Sequence, residues 1–369
     1  MTELAARPVT PPRLTLPGAG RLYRLRRLGD LPAALQRRRI EPVRQAFYDS
    51  LWADAAAALG AVALPGPAGL TRIARGDRAT FVRQSDLALD SQITLDLVGD
   101  KAFCYRVFAA RGLPVPRHLA FVRDDLTAAE AFLRGAAGPV VVKPRAGTGG
   151  GRGVTTGITS ARQLRRAAGY AAGYGPGLLL EDQLPGASFR LLFVDGRFVD
   201  AVRREAPRLA GDGQHTLRQL VAAENRRRRT GPVTALSPLR VDGDMKNRLA
   251  QLGLAPGSRL ARGESIAVKG AVNENGHLQN HPAGDAVHPD ILAALSRLVT
   301  DMGVRCAGVD ILGDDLTRPM AETGAVLHEV NANPGLHHHV LTARPDRRVP
   351  VAQLLLAHMF DTGAGMVRP

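Results

Sequence analysis

Asp310, Glu329 and Asn331 stand in two short apolar stretches near the C-terminus, AGVDIL and AVLHEVN, joined by a polar, turn-rich connection. Glu329 and Asn331 are two residues apart, so the alternation of a β-strand puts both on one face. Asp310, on the neighbouring strand, completes a set of hard oxygen ligands with no soft donor. Such a set suits Mg²⁺, which keeps several waters and is completed by substrate phosphates. The flanking residues Val309, Ile311, Val326, Leu327 and Val330 mark both strands as buried. Buried acids need a charged partner, so a solvated sheet face is the weaker reading.

A glycine-rich loop lies upstream, in GPVVVKPRAGTGGGRGV over residues 138–154. Val140–Val142 reads as a strand that Lys143 and Pro144 end. Five glycines follow between 147 and 153, including Gly149, Gly150, Gly151 and Gly153. Glycine lets successive N–H groups turn toward phosphate oxygens and leaves a loop free to open and close. Arg152 adds a permanently charged planar donor. No Gly-Lys-Ser/Thr follows, so this is not a Walker A loop. A glycine loop alone is more often a plain connection; Lys143 before it and the oxygen cluster after it raise its weight.

These residues need elements to hold them. Apolar spacing predicts an amphipathic helix over 41–60 ended by Gly60, with Trp52 and Phe47 as core. Strands follow near 62–64, 70–74 and 79–83. Helices are expected over 100–112, 126–136, 160–172, 289–303 and 349–360, and strands near 178–180 and 265–272. SFRLLFVDGRFVDAVRR reads as a hairpin about Asp195-Gly196. GDGQHT is a further turn, and the basic run ENRRRR ends a helix; Glu224 and its arginines read as a charged surface. His337–His339 reads as loop surface, although His339 is placed to approach a substrate. Lys246 and Lys269 either touch phosphate or face water. Residues 1–20, rich in Pro and Gly, read as poorly ordered. The chain divides into an N-terminal α/β subdomain (1–95), a central subdomain (96–182) and a C-terminal subdomain with the metal strands (183–362).

With 369 residues, 45% hydrophobic and 22% charged, the chain is of ordinary globular composition. Cys104 and Cys306 read as buried free thiols in a reducing compartment. No apolar run is long enough to span a membrane, and the expected location is cytoplasmic. The net charge of +15 is carried almost wholly by arginine, with lysine only at 101, 143, 246 and 269. Basic excess is one footprint of nucleic-acid binding. The arginines are scattered, however, and aromatics make up only 4%, too few for stacking platforms. An anionic small molecule or peptide accounts for the charge at least as well.

The ordered set GDKAFCYRVFAARGLPVP, VVVKP with its glycine loop, LLLEDQLPGASFRLLFVDGRFV, GDGQHT with ENRRRR, AGVDI and ETGAVLHEVNANPG resembles the ATP-grasp superfamily of carboxylate–amine ligases. The match is nearest to the ATP-grasp region of cyanophycin synthetases and to glutathione-synthetase modules, and runs from about Gly99 to His339. The resemblance implies an α/β (α+β) ATP-grasp fold in which two α+β subdomains sandwich ATP. It implies that Lys101, Lys143 and the loop 147–153 meet the triphosphate, and that Glu181, Asp182, Gln183 and Leu184 hold adenine. Ser188 falls at the ribose position, where many relatives carry an acid. Asp310, Glu329 and Asn331 match the Mg²⁺ (or Mn²⁺) ligands, and Arg190 and Arg203 the arginines near the substrate carboxylate.

Three departures qualify the match. The loop lacks an Asn-His pattern, GAVNENGHLQNHP replaces an Asn-Leu-Ser-Thr-Gly-Gly segment, and no Mur-ligase-like half is seen in this sequence. A stand-alone ligase acting on an amino acid or acidic peptide is therefore expected rather than cyanophycin synthesis. The resemblance further implies a homo-oligomer. A carboxylate kinase without an amine acceptor and a degenerate nucleotide-binding regulator remain the alternatives, with the arginine-rich nucleic-acid binder behind them.

Overall fold

The computed structural model describes residues 31–368; the expectation for residues 1–20 lies outside the described residues. The long helix α1 (Leu31–Ala58) comes first. It begins ten residues before the expected start at 41 and contains Pro42, and Ile40, Tyr48 and Trp52 are buried along it. A small antiparallel sheet follows: β1 (Val62–Pro65), β2 (Thr71–Arg75) and β3 (Arg78–Val82). Then come α2 (Gln92–Gly99) and α3 (Lys101–Ala110), the latter capped by Asp100, whose side chain accepts from the Phe103 N–H. The sequence reading missed α2, which crosses the expected boundary at residue 95.

The next unit contains β4 (His118–Val122), α4 (Thr127–Arg134), β5 (Val140–Pro144), β6 (Thr155–Ile158), α5 (Ala161–Ala171) and β7 (Gly177–Asp182). Its strands form an antiparallel sheet in the order β4-β7-β5-β6. Ser160 and Gln163 make a reciprocal cap at the start of α5, satisfying donors that a helix start would leave open. Val140, Val142, Ile158, Leu164, Leu178 and Leu180 fill the core between sheet and helix. Each such buried side chain contributes about 1.5–3 kcal/mol by leaving water.

The remaining elements are β8 (Ala187–Val194), β9 (Arg197–Arg204), β10 (Arg208–Ala210), α6 (Leu217–Thr230), α7 (Gly243–Gln251), β11 (Ser265–Ala267), β12 (Asn280–Pro282), α8 (Pro289–Asp301), β13 (Cys306–Gly313), α9 (Met320–Thr323), β14 (Val326–Ala332), α10 (His337–Val340) and α11 (Val351–Thr362). Five of the strands form an antiparallel sheet in the order β12-β9-β8-β13-β14. Asp195 and Gly196 turn β8 into β9 with φ of 44° and 74°, the left-handed pair that a two-residue hairpin needs. One face of this sheet packs Phe189, Leu191, Val309 and Ile311 against α3 and α8. The other face, through Leu192 and Val194, meets Tyr48 and Trp52 of α1 and Leu355 of α11. The N-terminal helix is thus part of the wall behind the large sheet.

No described helix is long and apolar enough to cross a membrane. Cys104 and Cys306 are free and buried, and burial pushes the Cys104 thiol up to about 12.

Candidate nucleotide and metal site

Strand register decides which side chains meet. β13 and β14 pair with Asp310 opposite Glu329 and Gly308 opposite Asn331. Opposed residues share a face, and at Gly308 Pro334 packs so closely that a Cβ would lie 2.5 Å from it, so that position carries no side chain. The result is two carboxylates and an amide on one patch. Asn331 Nδ2 donates toward Gly308 O at 3.5 Å, which leaves its oxygen uncommitted by that bond. A set of three hard oxygen donors fits Mg²⁺. No cluster of three or more His, Cys, Asp or Glu side chains suited to a metal occurs among the described residues; the set here is two carboxylates and an amide.

Each acid is matched by a cation. Arg190, opposite Asp310 across β8 and β13, forks onto it with two bonds of 2.7 Å. Arg204 adds a contact of 3.0 Å to the same carboxylate. Burial alone would raise the Asp310 carboxyl, but the two guanidinium groups outweigh it and hold it down at about 2. Lys101 reaches Glu329 at 3.0 Å from the start of α3. Burial pulls the Lys101 ammonium down; Glu329 more than offsets this, so it stays charged. Lys101, Thr148 of the glycine loop, Glu329 and Asn331 line one cavity of about 170 Å³. That cavity joins three distant stretches of sequence.

Lys143 is placed differently. Its ammonium lies 2.7 Å from Glu181 Oε2, and Tyr105 donates to the same oxygen at 2.8 Å. His328 Nε2 is 3.0 Å from both Lys143 Nζ and Glu181 Oε1. Burial draws the Lys143 pKa below its ordinary value despite Glu181. Glu181 itself is held well below the usual range, because Lys143 and His328 outweigh its burial. Glu181, which the resemblance matches to the adenine-binding segment, is ion-paired with Lys143. Glu181–Leu184 still connects the smaller sheet to the larger one. Asp182 forks with Arg117 at 2.8 Å, and Gln183 Oε1 accepts from the Gly157 N–H at 2.6 Å. Leu184 is half-buried.

The glycine loop bends as its composition requires. Gly151 has φ of 69°, and a Cβ there would overlap the side chain of Asn273. Gly153, with φ of 78°, packs against Pro144 and Tyr174. Arg152 Nε donates back to Gly149 O at 3.2 Å, within the loop. Asn273 Nδ2 donates to Gly151 O at 3.4 Å, so the larger subdomain touches the loop directly. Below it, buried Asp244 accepts from the Thr156 N–H, the Thr156 hydroxyl and the N–H groups of Gly270 and Ala271. This carboxylate ties β6 to the large subdomain. Asp100 tethers the loop's other end, taking a forked contact from Arg145 at 2.6–3.0 Å.

Two adjacent arginines of β9 are placed differently. Arg203, expected near the substrate carboxylate, is half-exposed and paired with Glu205 at 2.6 Å. Arg204 is buried, bonded to Asp310 and to Ser188 Oγ at 2.8 Å. Arg203 and Arg204 both line a second cavity of about 450 Å³ with Gly186, Ala187, Glu205 and Gly270. His337–His339 also differs from expectation. It forms α10, with His339 buried and bonded to Asp200, rather than a surface loop. Lys246 is exposed, whereas Lys269 lies buried between Asp242 and Glu274. Tyr105, His328, Arg204 and Asp244 went unnoticed in the sequence; Tyr105, four residues after Lys101 on one helix face, had a usable spacing.

No protein-family model matches the chain. It is 30% identical over 259 residues to the cyanophycin synthetase of Trichormus variabilis, covering 69% of this chain and 28% of that one. It is 25% identical over 292 residues to the glutathione biosynthesis bifunctional protein GshAB of Streptococcus mutans, covering 77% of this chain and 38% of that one. A crystal structure of a bifunctional glutathione synthetase from Pasteurella multocida aligns over 79% of this chain and 40% of that one, at 21% identity and a TM-score of 0.48. The chain thus spans only about a third of the length of the curated relatives it matches. The ordered motifs, the paired sheets and the sequence relatives agree: the chain is similar to the ATP-grasp carboxylate–amine ligases.

Proposed function

We propose that the chain is an ADP-forming ligase that joins a carboxylate to an amine through an acyl-phosphate. The observation carrying this reading is the opposed Asp310–Glu329 pair with Asn331 on one face, ringed by Lys101, Arg190 and Arg204 beneath a glycine loop. Four buried cations, counting Lys143, face three carboxylates, counting Glu181. A local excess of positive charge suits a triphosphate, and phosphoryl transfer is catalysed mainly by positioning and charge neutralisation.

Asp310, Glu329 and Asn331 would hold Mg²⁺, which when bound supplies charge neutralisation at the phosphates. With the acids so engaged, Arg190, Arg204 and Lys101 become available to the transferred phosphoryl group and the substrate carboxylate. The carboxylate oxygen attacks the γ-phosphorus in line and ADP leaves. The amine then attacks the acyl carbon, and phosphate departs. The loop 147–153, with Arg152, would exclude water that otherwise hydrolyses the intermediate. Lys143, hydrogen-bonded to Tyr105 and Glu181, is positioned by them for the same phosphates.

The names of the relatives support amino acids or peptides as the substrate class, and the basic site favours an acidic member. A homo-oligomer and a cytoplasmic setting belong to the same proposal. The test is ADP release screened over pairs of amino acids with Mg²⁺, and products identified by mass. Amine-dependent release with a condensed product supports the ligase. Release with a carboxylate alone, unaffected by any amine, would favour the carboxylate kinase.

A further inference from the structure

We infer that His339 is the proton acceptor for the attacking amine, a reading that rests on the ligase assignment above. Asp200, Val202 and Arg204 alternate along one face of β9, the face on which Arg204 meets Asp310. Val202 pairs with Arg190 and Asp200 with Leu192, so Asp200 is a neighbour of Arg190 on that face. His339 Nδ1 donates to Asp200 Oδ2 at 2.7 Å. A carboxylate on Nδ1 fixes the tautomer and leaves the Nε2 lone pair on the far side of the ring from Asp200, the arrangement that serves a general base.

His339 is only 1% exposed, and its Nε2 has no partner. A buried acceptor left without a donor is costly, and such an atom calls for an explanation. A donor arriving with substrate supplies one. Other buried atoms without partners gather on adjoining elements: Nε of Arg204 on β9, and Nδ1 of His338 on α10. The charged and titratable groups acting on His339 are Asp200 and Arg204 from β9, Arg190 from β8, and His337 and His338 on its own helix. Burial and the two arginines outweigh Asp200 and lower its pKa, so the imidazole is neutral at physiological pH.

An amino group enters largely as ammonium and cannot attack until it loses a proton. His339 Nε2 takes that proton and releases it to solvent after turnover. The free amine then attacks the acyl carbon; the C–N bond forms, the C–O bond to phosphate breaks, and the second amine proton leaves with phosphate. No oxidant or further reactant is needed.

The experiment compares two acceptors. Hydroxylamine is weakly basic and already unprotonated at neutral pH, so it needs no base; α-amino acids do. The variant His339→Asn keeps a donor toward Asp200 and removes the base. The carboxylates are a panel of amino acids, with ADP and hydroxamate or amide measured. The expected result is a loss of about 100-fold with α-amino acids but less than about threefold with hydroxylamine, in line with general-base contributions. The α-amino acid deficit should shrink as pH rises. Asp200→Asn, which keeps the side-chain shape, should show the same split if His339→Asn folds poorly. Equal loss with both acceptors, or no loss with either, overturns the inference. Wild-type protein that makes neither product from any carboxylate refutes the ligase reading instead.

Discussion

Two groups of buried charges share this chain, and they differ in balance. Between α7 and the segment around residue 270, Arg240 and Lys269 meet Asp242 and Glu274 with almost no exposure. Two cations face two acids, and the ion pairs link them to one another. In the candidate site, Lys101, Lys143, Arg190 and Arg204 face Asp310, Glu329 and Glu181, and a cavity reaches Lys101 and Glu329. Balanced and closed charges hold elements together. Charges in excess beside open space are arranged for a ligand.

The sharpest way to break this contrast is to neutralise one acid in each group. Glu329→Gln keeps the shape beside Lys101 while removing a charged oxygen from the metal set. Turnover in the ADP-release assay should fall by about 10³-fold, as for loss of a directly placed electrostatic group, with the fold retained by circular dichroism. Glu274→Ala should do the reverse. Stranding Lys269 and Arg240 beside a single carboxylate should cost about 3–5 kcal/mol in urea unfolding. Activity per folded molecule should stay near wild type. If Glu329→Gln unfolds the protein while Glu274→Ala abolishes turnover, the assignment of the two groups is reversed.

A finer contrast lies between adjacent arginines on β9. Arg204→Ala should lower turnover by about 100-fold, since it removes a buried guanidinium from Asp310 and Ser188. Arg203→Ala, a half-exposed pair with Glu205, should change it by less than about threefold. The sequence could not separate these two. Period-2 alternation assigns a face only when the register is known, and a one-residue slip flips every side chain. The β8–β9 ladder does shift between Leu192 and Phe193. Asp310, Glu329 and Asn331 were legible because each lies in a short apolar strand whose partner strand is close in sequence.

Other parts of the site were not legible for different reasons. His328 meets Lys143 across 185 positions and Glu181 across 147, and no local spacing encodes such a contact. A run of three histidines has no period, so α10 read as a loop. α7 was missed because GDMKNRLAQ is mostly polar, although Asp242 caps it by accepting from the Met245 N–H. The two main sheets were clearer, since their strands carry β-branched or leucine runs and their helices carry caps.

That missed helix supports a smaller prediction about the loop. Asp244, in its first turn, accepts four hydrogens from β6 and the 270–271 backbone. Asp244→Asn keeps the size but puts a donor where N–H groups already point. β6 should loosen from the large subdomain, and backbone exchange over 155–158 should quicken. The KM for ATP should rise about tenfold, equal to about 1.4 kcal/mol. An unchanged exchange rate would mean that the Asn247 and Gln251 contacts to the Thr156 and Gly157 carbonyls suffice to hold β6.

The smallest effect tests the charge excess itself. Asp310 has a carboxyl held at about 2, below its ordinary 3.8, by Arg190 and Arg204 against the opposing effect of burial. A depressed folded-state pKa contributes stability that is complete above the unfolded value and lost as pH falls through the folded one. That contribution should therefore fade between about pH 4 and pH 2. Melting temperature followed across this window should fall less steeply in Asp310→Asn than in wild type, because the variant has no such carboxylate to protonate. Equal slopes would mean that the two arginines do not hold Asp310 ionised, and the excess of cations at the site would lose its main support.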